Sequence, residues 1–166
     1  MSTAVSLGGD IRRLNQHLKK LSQLDREGIN QTIAETLRSS TRLRFKTGTD
    51  PDGKSWPRSL RVEGNKGKTL VDTARLRNSI RSRATSELAE VGTNVIYAGR
   101  HQFGDKQPLL IKAKTSRGLR FKIGDRWISK KQVRVKLPAR PYLGISKTDM
   151  EEIRAILEQA AEEAGR

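Results

Sequence analysis

Hydrophobic residues recur at three- and four-residue steps in two N-terminal stretches, which is the spacing of an amphipathic helix. Asp10 precedes the first stretch and Asp25 the second, and either side chain can accept hydrogen bonds from the free N–H groups of a helix N-terminus. Gly48 is placed to end the second helix, and Pro51 prevents its return. The apolar positions are Ile11, Leu14, Leu18 and Leu21, followed by Ile29, Ile33, Leu37 and Phe45. We therefore predict N-terminal helices within residues 1–47.

Residues 48–69 are rich in Gly, Asp, Pro and Asn, a composition typical of turns and of an extended, mobile loop. Trp56 is the large apolar side chain of this segment, and we expect it to hold the loop against the body of the protein. The stretch Gly64-Asn-Lys-Gly67-Lys68-Thr69 ends like a phosphate-binding loop. That loop requires four residues between its glycines and this stretch has two, so the sequence excludes nucleotide binding of this kind.

Beyond a short helix predicted over Thr73 to Ile80, the hydrophobic period changes from about four residues to two, which indicates β-strands. A first hairpin is predicted over residues 84–91. Further strands, around Leu109–Ile111, 119–123, 127–128 and 133–137, are expected to form one antiparallel sheet with a basic hairpin turning at Gly124-Asp125.

Pro138 and Pro141 end the sheet, and Ser146 or Thr148 can cap a last helix. The predicted apolar positions of that helix are Met150, Ile153, Ile156, Leu157 and Ala160. Helices, then a sheet, then a helix is the order of an α+β fold. We predict a single domain over 1–166, divided into N-terminal helices (1–47), an extended loop (48–69), a sheet-containing body (70–145) and a C-terminal helix (146–166).

The chain is lean in hydrophobic residues, at 34%, so we expect a partner to cover part of its surface. There is no cysteine, which excludes disulfides and thiolate metal sites and is compatible with a reducing cytoplasm. No run of eighteen apolar residues is present, so neither a transmembrane helix nor a membrane partner is expected. Residues 1–9 lack the pattern of a signal peptide.

Positive charge is concentrated in one segment. The chain has 34 basic and 18 acidic residues, a formal net charge of +16, and residues 106–140 contain twelve of the bases and one acid. Strand alternation places basic side chains on one side of the predicted sheet and apolar side chains on the other. The predicted face for an anionic partner comprises Lys112, Lys114, Arg120, Lys122, Arg126, Lys130, Lys131, Arg134 and Lys136.

The partner of this basic face is left open by the sequence. Aromatic residues make up 4% of the chain, and none is predicted to lie among the charges of the face, so stacking on nucleic-acid bases is not expected. Contact with nucleic acid would then be to phosphates and independent of base sequence. The acidic surface of a protein is the other candidate, since residues 141–166 contain six acids and three bases. A soluble charged edge that discourages aggregation is the plain structural alternative.

Catalytic chemistry has little support. His17 lies beside lysines in a predicted helix, and His101 is remote in sequence from any cluster of carboxylates, so we interpret His101 as a packed residue at a turn. Adjacent acids such as Glu151 and Glu152 point in different directions on a helix, so they do not form a general acid–base pair. We predict no catalytic, metal-binding or cofactor-binding residues, and no enzyme activity.

Three stretches resemble the virion morphogenesis (tail completion) proteins of Mu-like tailed bacteriophages. The first is Asp50-Pro-Asp-Gly-Lys-Ser-Trp56, preceded by Phe45; the second runs from Leu70-Val-Asp-Thr-Ala-Arg-Leu76 to His101-Gln-Phe-Gly104. The third is Leu137-Pro-Ala-Arg-Pro-Tyr-Leu-Gly144. Ala74 departs from the family, which usually has Gly there. The motif positions, for which we expect structural roles, are Trp56, Tyr97, His101, Gly104, Pro138, Arg140, Pro141 and Gly144.

The resemblance implies a structural virion protein at the head–tail junction, assembled in the bacterial cytoplasm. It implies a homo-oligomeric ring, expected to be a hexamer, that joins the head connector on the portal side to the tail terminator or tail tube and lets DNA pass. We expect Phe45, Trp56 and Ile153 to anchor the assembly, because they are apolar groups on otherwise polar segments. The alternative is a small basic protein that binds nucleic acid non-specifically.

Overall fold

The structure, a computed structural model, describes residues 24–64, 67–123 and 126–165, together with Ile11 and Lys19. Its helices are α1 (Arg26–Thr47), α2 (Leu60–Gly64), α3 (Arg75–Asn78), α4 (Ala98–Phe103) and α5 (Lys147–Gly165). Its strands are β1 (Arg81–Ala84), β2 (Ala89–Gly92), β3 (Leu109–Lys112), β4 (Leu119–Ile123), β5 (Arg126–Lys130) and β6 (Gln132–Val135). The predicted α+β class is confirmed. The helix predicted after Asp10 lies largely outside the described residues.

Helix α1 is the element on which much of the fold is assembled, and its two ends are where the sequence predicts them. The Asp25 carboxylate accepts a hydrogen bond from the backbone N–H of Gly28 at 3.0 Å, which caps the N-terminus. Gly48 adopts a left-handed conformation, with φ of 76°, and donates its N–H to the carbonyl of Arg44 at 2.7 Å. The predicted N-cap and C-cap are therefore both confirmed.

Strands β1 and β2 form an antiparallel hairpin that packs against α1. Polar contacts fix it there: the Ser82 hydroxyl donates to the Glu35 carboxylate at 2.6 Å, and the Asn30 side chain donates to the carbonyl of Thr85 at 2.8 Å. The hairpin is the one predicted from the sequence, with its strand bounds shifted by a few residues.

The hydrophobic core lies where α1 meets the loop after it and the segment before α5. Phe45 is fully buried, with its ring centroid 5.5 Å from that of Trp56 and 5.2 Å from that of Tyr142. Leu76, Ile80 and Ala98 complete the buried cluster. Trp56 thus holds its loop to the body, as predicted. Residues 48–69 are not loop throughout, however, because α2 interrupts them.

The helix predicted over Thr73 to Ile80 is shorter in the structure, where α3 covers four residues. Leu76 and Ile80 of this segment are buried. Ala74, at the N-terminus of α3, has a φ of 58°, in the left-handed region that a side chain disfavours.

The remaining four strands form two separate antiparallel ladders, β3 with β6 and β4 with β5. The prediction of one sheet is therefore wrong. A single residue, Lys131, separates β5 from β6, whereas the tightest common hairpin needs a two-residue turn. Strand β6 consequently pairs with the more distant β3, and the β4–β5 hairpin extends between them. We call residues 109–136, which contain both ladders, the basic arm.

Helix α5 begins with the predicted cap. The Ser146 hydroxyl accepts from the Asp149 N–H at 3.1 Å, and the Asp149 carboxylate accepts from the Ser146 N–H at 2.7 Å, a reciprocal capping box. The helix packs against α1. Met150 and Leu157, which were predicted to be apolar contacts of this helix, are 41% and 48% exposed. In the part of the chain that the structure describes, no helix has the length and hydrophobicity needed to cross a membrane.

Candidate functional site

The three stretches that carry the family resemblance are distant in sequence but pack together. Residues 137–144 run without helix or strand past the Trp56 loop and α4. The Trp56 indole N–H donates to the carbonyl of Pro141 at 2.8 Å, and the Arg140 backbone N–H donates to the carbonyl of His101 at 2.7 Å. The motifs therefore form one scaffold, and its contacts are mainly to backbone groups.

Two motif side chains, Arg140 and Tyr142, are buried in this scaffold and donate hydrogen bonds to backbone carbonyls. Arg140, 4% exposed, donates from Nε to the carbonyl of Pro57 at 2.7 Å and from a terminal nitrogen to that of Arg58 at 3.3 Å. The Tyr142 hydroxyl donates to the carbonyl of Ala98 at 3.3 Å. Burial lowers the pKa of Arg140 and raises the pKa of Tyr142. Both groups thus tie chain segments together.

Gln102 was not singled out from the sequence, although it lies within a motif. Its side-chain oxygen accepts from the N–H groups of Tyr142 and Leu143, both at 3.0 Å, and its amide nitrogen donates to the carbonyl of Leu143 at 2.9 Å. The Gln102 side chain thereby makes to Tyr142 and Leu143 the kind of hydrogen bonds that a neighbouring β-strand would make, although these two residues belong to no strand. The signal in the sequence that could have identified Gln102 was its position between two predicted motif residues, His101 and Gly104.

Gly104 and Gly144 occupy conformations that disfavour a side chain, with φ of 71° and 149°. A Cβ on Gly104 would lie 2.7 Å from the backbone nitrogen of Ala139, and one on Gly144 would lie 2.6 Å from Cγ of Pro51. Pro138 is exposed and Pro141 is half-buried at the start and end of the segment beside them. The corners require glycine for both conformation and space.

His101 is half-buried on α4, with its ring centroid 5.7 Å from that of the partly exposed Tyr97. Its Nδ1 atom is buried without a hydrogen-bond partner among the described residues. Burial, followed by the positive charges of Arg140 and Arg100, lowers the pKa of the imidazole. Within the described ranges, no three His, Asp or Glu side chains are grouped so that they could hold a metal ion.

A second fixed point beside α4 is the ion pair between Arg100 and Asp105. Both Asp105 oxygens accept from the Arg100 guanidinium, at 2.8 and 2.7 Å, and the Leu137 N–H donates to the same carboxylate at 2.9 Å. These hydrogen bonds lower the pKa of Asp105 to about 2. The pair joins the end of α4 to the segment that leaves the basic arm.

The C-terminal helix is held to α1 by a buried ion pair. Arg44 and Asp149 are 5% and 2% exposed, and the guanidinium donates to the Asp149 carboxylate at 2.5 Å. Arg44 also donates to the carbonyls of Tyr142 and Gly144, at 3.0 and 2.8 Å. Burial opposes ionisation of Asp149, but hydrogen bonding involving Ser40 and Ser146 and the charge of Arg44 outweigh burial and lower its pKa.

Two of the three predicted assembly anchors are core residues. Phe45 is fully buried and Trp56 is 5% exposed, so neither can contact a neighbouring subunit without unfolding the core. The sequence shows that such apolar side chains must be buried, but it does not show whether the same chain or a neighbouring subunit buries them. Ile153 is half-buried on α5, the helix that packs on α1.

All of the predicted basic residues are exposed, but they do not share one face. Arg120 and Lys122 lie on one face of the β4–β5 ladder, whereas Arg126 and Lys130 lie opposite Ile123 and Leu119 and therefore on the other face. The rest lie on or beside the β3–β6 ladder: Lys112, Lys114, Lys131, Arg134 and Lys136. Because the strands form two ladders, the prediction of one continuous basic face is wrong, although basic and half-buried apolar residues do alternate along β4 and β6.

An aromatic side chain lies among the charges of the basic arm, contrary to the prediction. Trp127 is directly opposite Lys122 in the β4–β5 register, and it is 66% exposed. The Arg120 guanidinium carbon lies 5.5 Å from the centre of the Trp127 ring, a cation–π contact. On β3, Leu109, Leu110 and Ile111 are each about 40% exposed or more. The arm therefore combines positive charge with uncovered apolar surface.

Comparison with known proteins confirms the family resemblance of the sequence. The sequence profile of the phage virion morphogenesis family matches residues 9–162. The chain is 31% identical over 144 residues to the "Mu-like prophage FluMu G protein 2" of Haemophilus influenzae, covering 86% of this chain and 84% of that protein. It is 29% identical over 163 residues to the "Putative capsid assembly protein G" of Escherichia phage Mu, covering 92% of this chain and 91% of that protein. No solved structure matches the chain. The chain therefore belongs to the phage virion morphogenesis family.

Proposed function

We propose that this protein is a structural subunit of a homo-oligomeric ring at the head–tail junction of a tailed phage. In this role it joins the head connector to the tail terminator or tail tube and leaves a passage for DNA. Family membership supports a role in virion assembly. The name of the phage Mu relative, a capsid assembly protein, is consistent with the head side of such a junction.

The observation that carries this proposal is the uncovered surface of an otherwise well-packed chain. Among the described residues, large apolar side chains are left uncovered: Trp127 is 66% exposed, Phe103 80% and Ile96 101%. Surface of this kind is typical of a subunit that completes its burial against neighbours.

The motif residues support a role in assembly and not in catalysis. Arg140, Gln102 and Tyr142 use their polar groups to hold backbone segments, and Arg44 and Asp149 are buried against each other. We infer that the motifs keep the core rigid and that the basic arm and the helix surfaces make the contacts between proteins.

The proposal is tested by the particles that form without the protein. A phage in which the coding sequence carries an early stop codon should accumulate DNA-filled heads and separate complete tails. Adding purified protein to that mixture should produce joined, infectious particles. Failure of heads to form or to fill with DNA would place the protein earlier in capsid assembly and would contradict the proposal.

Non-specific binding of nucleic acid is the second candidate, and the Arg120–Trp127 pair favours it, because exposed aromatic and guanidinium groups can stack on bases. Titration with duplex and single-stranded DNA at several salt concentrations tests it. Each phosphate contact should contribute about −0.9 to the slope of log affinity against log salt on duplex DNA. If the binding of DNA disappears at physiological salt, non-specific nucleic-acid binding is excluded and virion assembly is the function.

A further inference from the structure

A cavity of about 450 Å³ lies beside the motif scaffold, between the start of α2, the segment that leads into α3, the start of α4 and the segment that leaves the basic arm. Each of these four parts contributes an apolar side chain to the wall: Leu60, Leu70, Tyr97 and Leu137. A cavity of this volume accommodates a small ligand or a few side chains. His101 and Arg140 also line it, so the motif scaffold forms part of its wall.

The charged side chains around this cavity are unbalanced. Five of them are basic and one is acidic: Arg58, Arg61, Arg75, Lys136, Arg140 and Asp72. The acid, Asp72, already lies 3.7 Å from the Arg61 guanidinium. Arg58, Arg75 and Lys136 are exposed and form no ion pair within the described residues. The rim of the cavity therefore attracts anions.

The buried charge of Arg140 lacks a counterion within the described residues. Its guanidinium donates to the carbonyls of Pro57 and Arg58, which are neutral, and the side chain is 4% exposed. A buried charge is ordinarily paired with an opposite charge, because removing it from water is costly. Arg44, the other buried arginine of the described chain, has the Asp149 carboxylate as its counterion. An anion in the cavity would do for Arg140 what Asp149 does for Arg44.

Two buried polar atoms of the cavity residues also lack a partner. Ser59 Oγ and His101 Nδ1 make no hydrogen bond to the described residues, although buried polar atoms nearly always have one. A hydroxyl and a protonated Nδ1 both donate hydrogen bonds, so both match a ligand with acceptor oxygens. Asp105, whose charge also acts on His101, is already held by the Arg100 guanidinium.

We propose that this cavity binds a carboxylate side chain, presented beside an apolar side chain on an extended segment of a partner protein. The carboxylate would accept hydrogen bonds from Ser59 and His101 and would supply the counterion of Arg140, a charge-assisted contact. The exposed bases at the rim would attract the acidic segment and set its orientation. The proposal does not depend on the ring proposed above.

The apolar wall selects this occupant over other anions. An inorganic phosphate has no apolar part to bury against Leu60, Leu70 and Leu137, whereas the stem of an acidic residue and its apolar neighbour do. The phosphates of duplex DNA lie along a rigid backbone, so they can contact the exposed bases but cannot follow a side chain to the buried atoms of Ser59 and His101.

Peptide titration of the full chain tests the proposal. The probes are short peptides with blocked ends, in which one aspartate or one glutamate is flanked by leucines. The same peptides with asparagine or glutamine, inorganic phosphate and a short DNA duplex are the comparators. Binding is followed by nuclear magnetic resonance through the ring signals of His101, which a His101→Ala variant identifies. We expect an acidic peptide to shift these signals saturably at millimolar concentration and to bind at least tenfold more tightly than its neutral counterpart, because only the acid supplies a counterion.

Two variants assign the binding to the cavity. Arg58→Gln with Lys136→Gln changes two exposed bases of the rim and should weaken peptide binding by at least tenfold. Lys54→Gln with Arg83→Gln, two exposed bases away from the cavity, removes the same charge and should leave binding unchanged. Ser59→Ala alters no charge and should weaken binding several-fold without lowering the melting temperature, because its hydroxyl has no partner in the unbound chain.

Four results would overturn the proposal. The first is an absence of saturable shifts at His101 with both acidic peptides, and the second is equal binding of the neutral peptides. The third is tighter binding of phosphate or duplex DNA than of the acidic peptides at the same His101 signals, which would assign the cavity to that ligand. The fourth is an equal loss of binding in the Lys54 and Arg83 control, which would show that net charge and not the cavity controls binding. None of these results bears on the ring, which is tested separately in the virion.

Discussion

Replacing Arg44 by Met should destabilise the protein more than any surface substitution, because Arg44 connects α1 to both the motif segment and α5. Its guanidinium contacts the carbonyls of Tyr142 and Gly144 and the carboxylate of Asp149. The variant would leave the Asp149 carboxylate, 2% exposed, without its cation. Methionine retains much of the side-chain length, so the change reports mainly the loss of charge and hydrogen bonds.

The expected cost follows from this burial. Removing one partner of a buried ion pair costs about 3–5 kcal/mol, a large part of the roughly 5–15 kcal/mol that stabilises a domain. For a chain of this length each kcal/mol corresponds to about 2–4 °C in melting temperature. We therefore expect the melting temperature to fall by roughly 6–20 °C. Urea denaturation followed by circular dichroism measures the free energy of unfolding directly.

Two further variants make the test specific. Arg38→Met removes an ion pair with Glu35 whose side chains are 28% and 40% exposed, and it should cost no more than about 1 kcal/mol. Arg44→Met combined with Asp149→Leu should be more stable than the sum of the single effects predicts, because no buried charge is left unpaired. An Arg44→Met protein within about 1 kcal/mol of Arg38→Met in unfolding free energy would refute the reasoning.

Three other predictions concern single positions. Gly104→Ala should destabilise by about 1–3 kcal/mol more than Gly53→Ala in urea denaturation, because both have a left-handed φ but only a Cβ on Gly104 would clash with backbone; equal effects would contradict this. Ala74→Gly should raise the unfolding free energy by up to about 1 kcal/mol by relieving the left-handed φ of 58°, whereas Ala155→Gly, at an exposed position within α5, should lower it by about 1 kcal/mol. The pKa of Asp105, lowered to about 2 in the folded protein, predicts that its stabilising effect is complete above the unfolded pKa near 4 and is lost as the pH falls through about 2; the difference in melting temperature between the unaltered protein and Asp105→Asn should accordingly shrink from pH 5 to pH 2, and a constant difference would contradict it.

The features that could be predicted from the sequence are those encoded locally. The caps at Asp25, Gly48 and Ser146 each depend on residues within four positions, and all three are where the pattern places them. The left-handed glycines at the motif corners are of the same kind.

The features that could not be predicted depend on contacts between distant residues. Alternation along β4 and β6 is the same whether these strands share a sheet or not, so the pairing of β3 with β6 was not evident. The register of the β4–β5 hairpin decides which residue lies opposite Lys122, and it places Trp127 among the charges. The burial of Phe45 and Trp56 is set by Tyr142, almost a hundred residues away from Phe45.

The most direct test of the proposed ring is a cryo-electron microscopy reconstruction of the virion neck from phage that carries this protein with a small C-terminal tag. We predict a closed ring of identical subunits between the head connector and the tail, with the tag density repeated around it and a central opening wide enough for duplex DNA. Tag density at the capsid lattice or the distal tail tip, or mature virions that lack the protein, would contradict a ring at the head–tail junction.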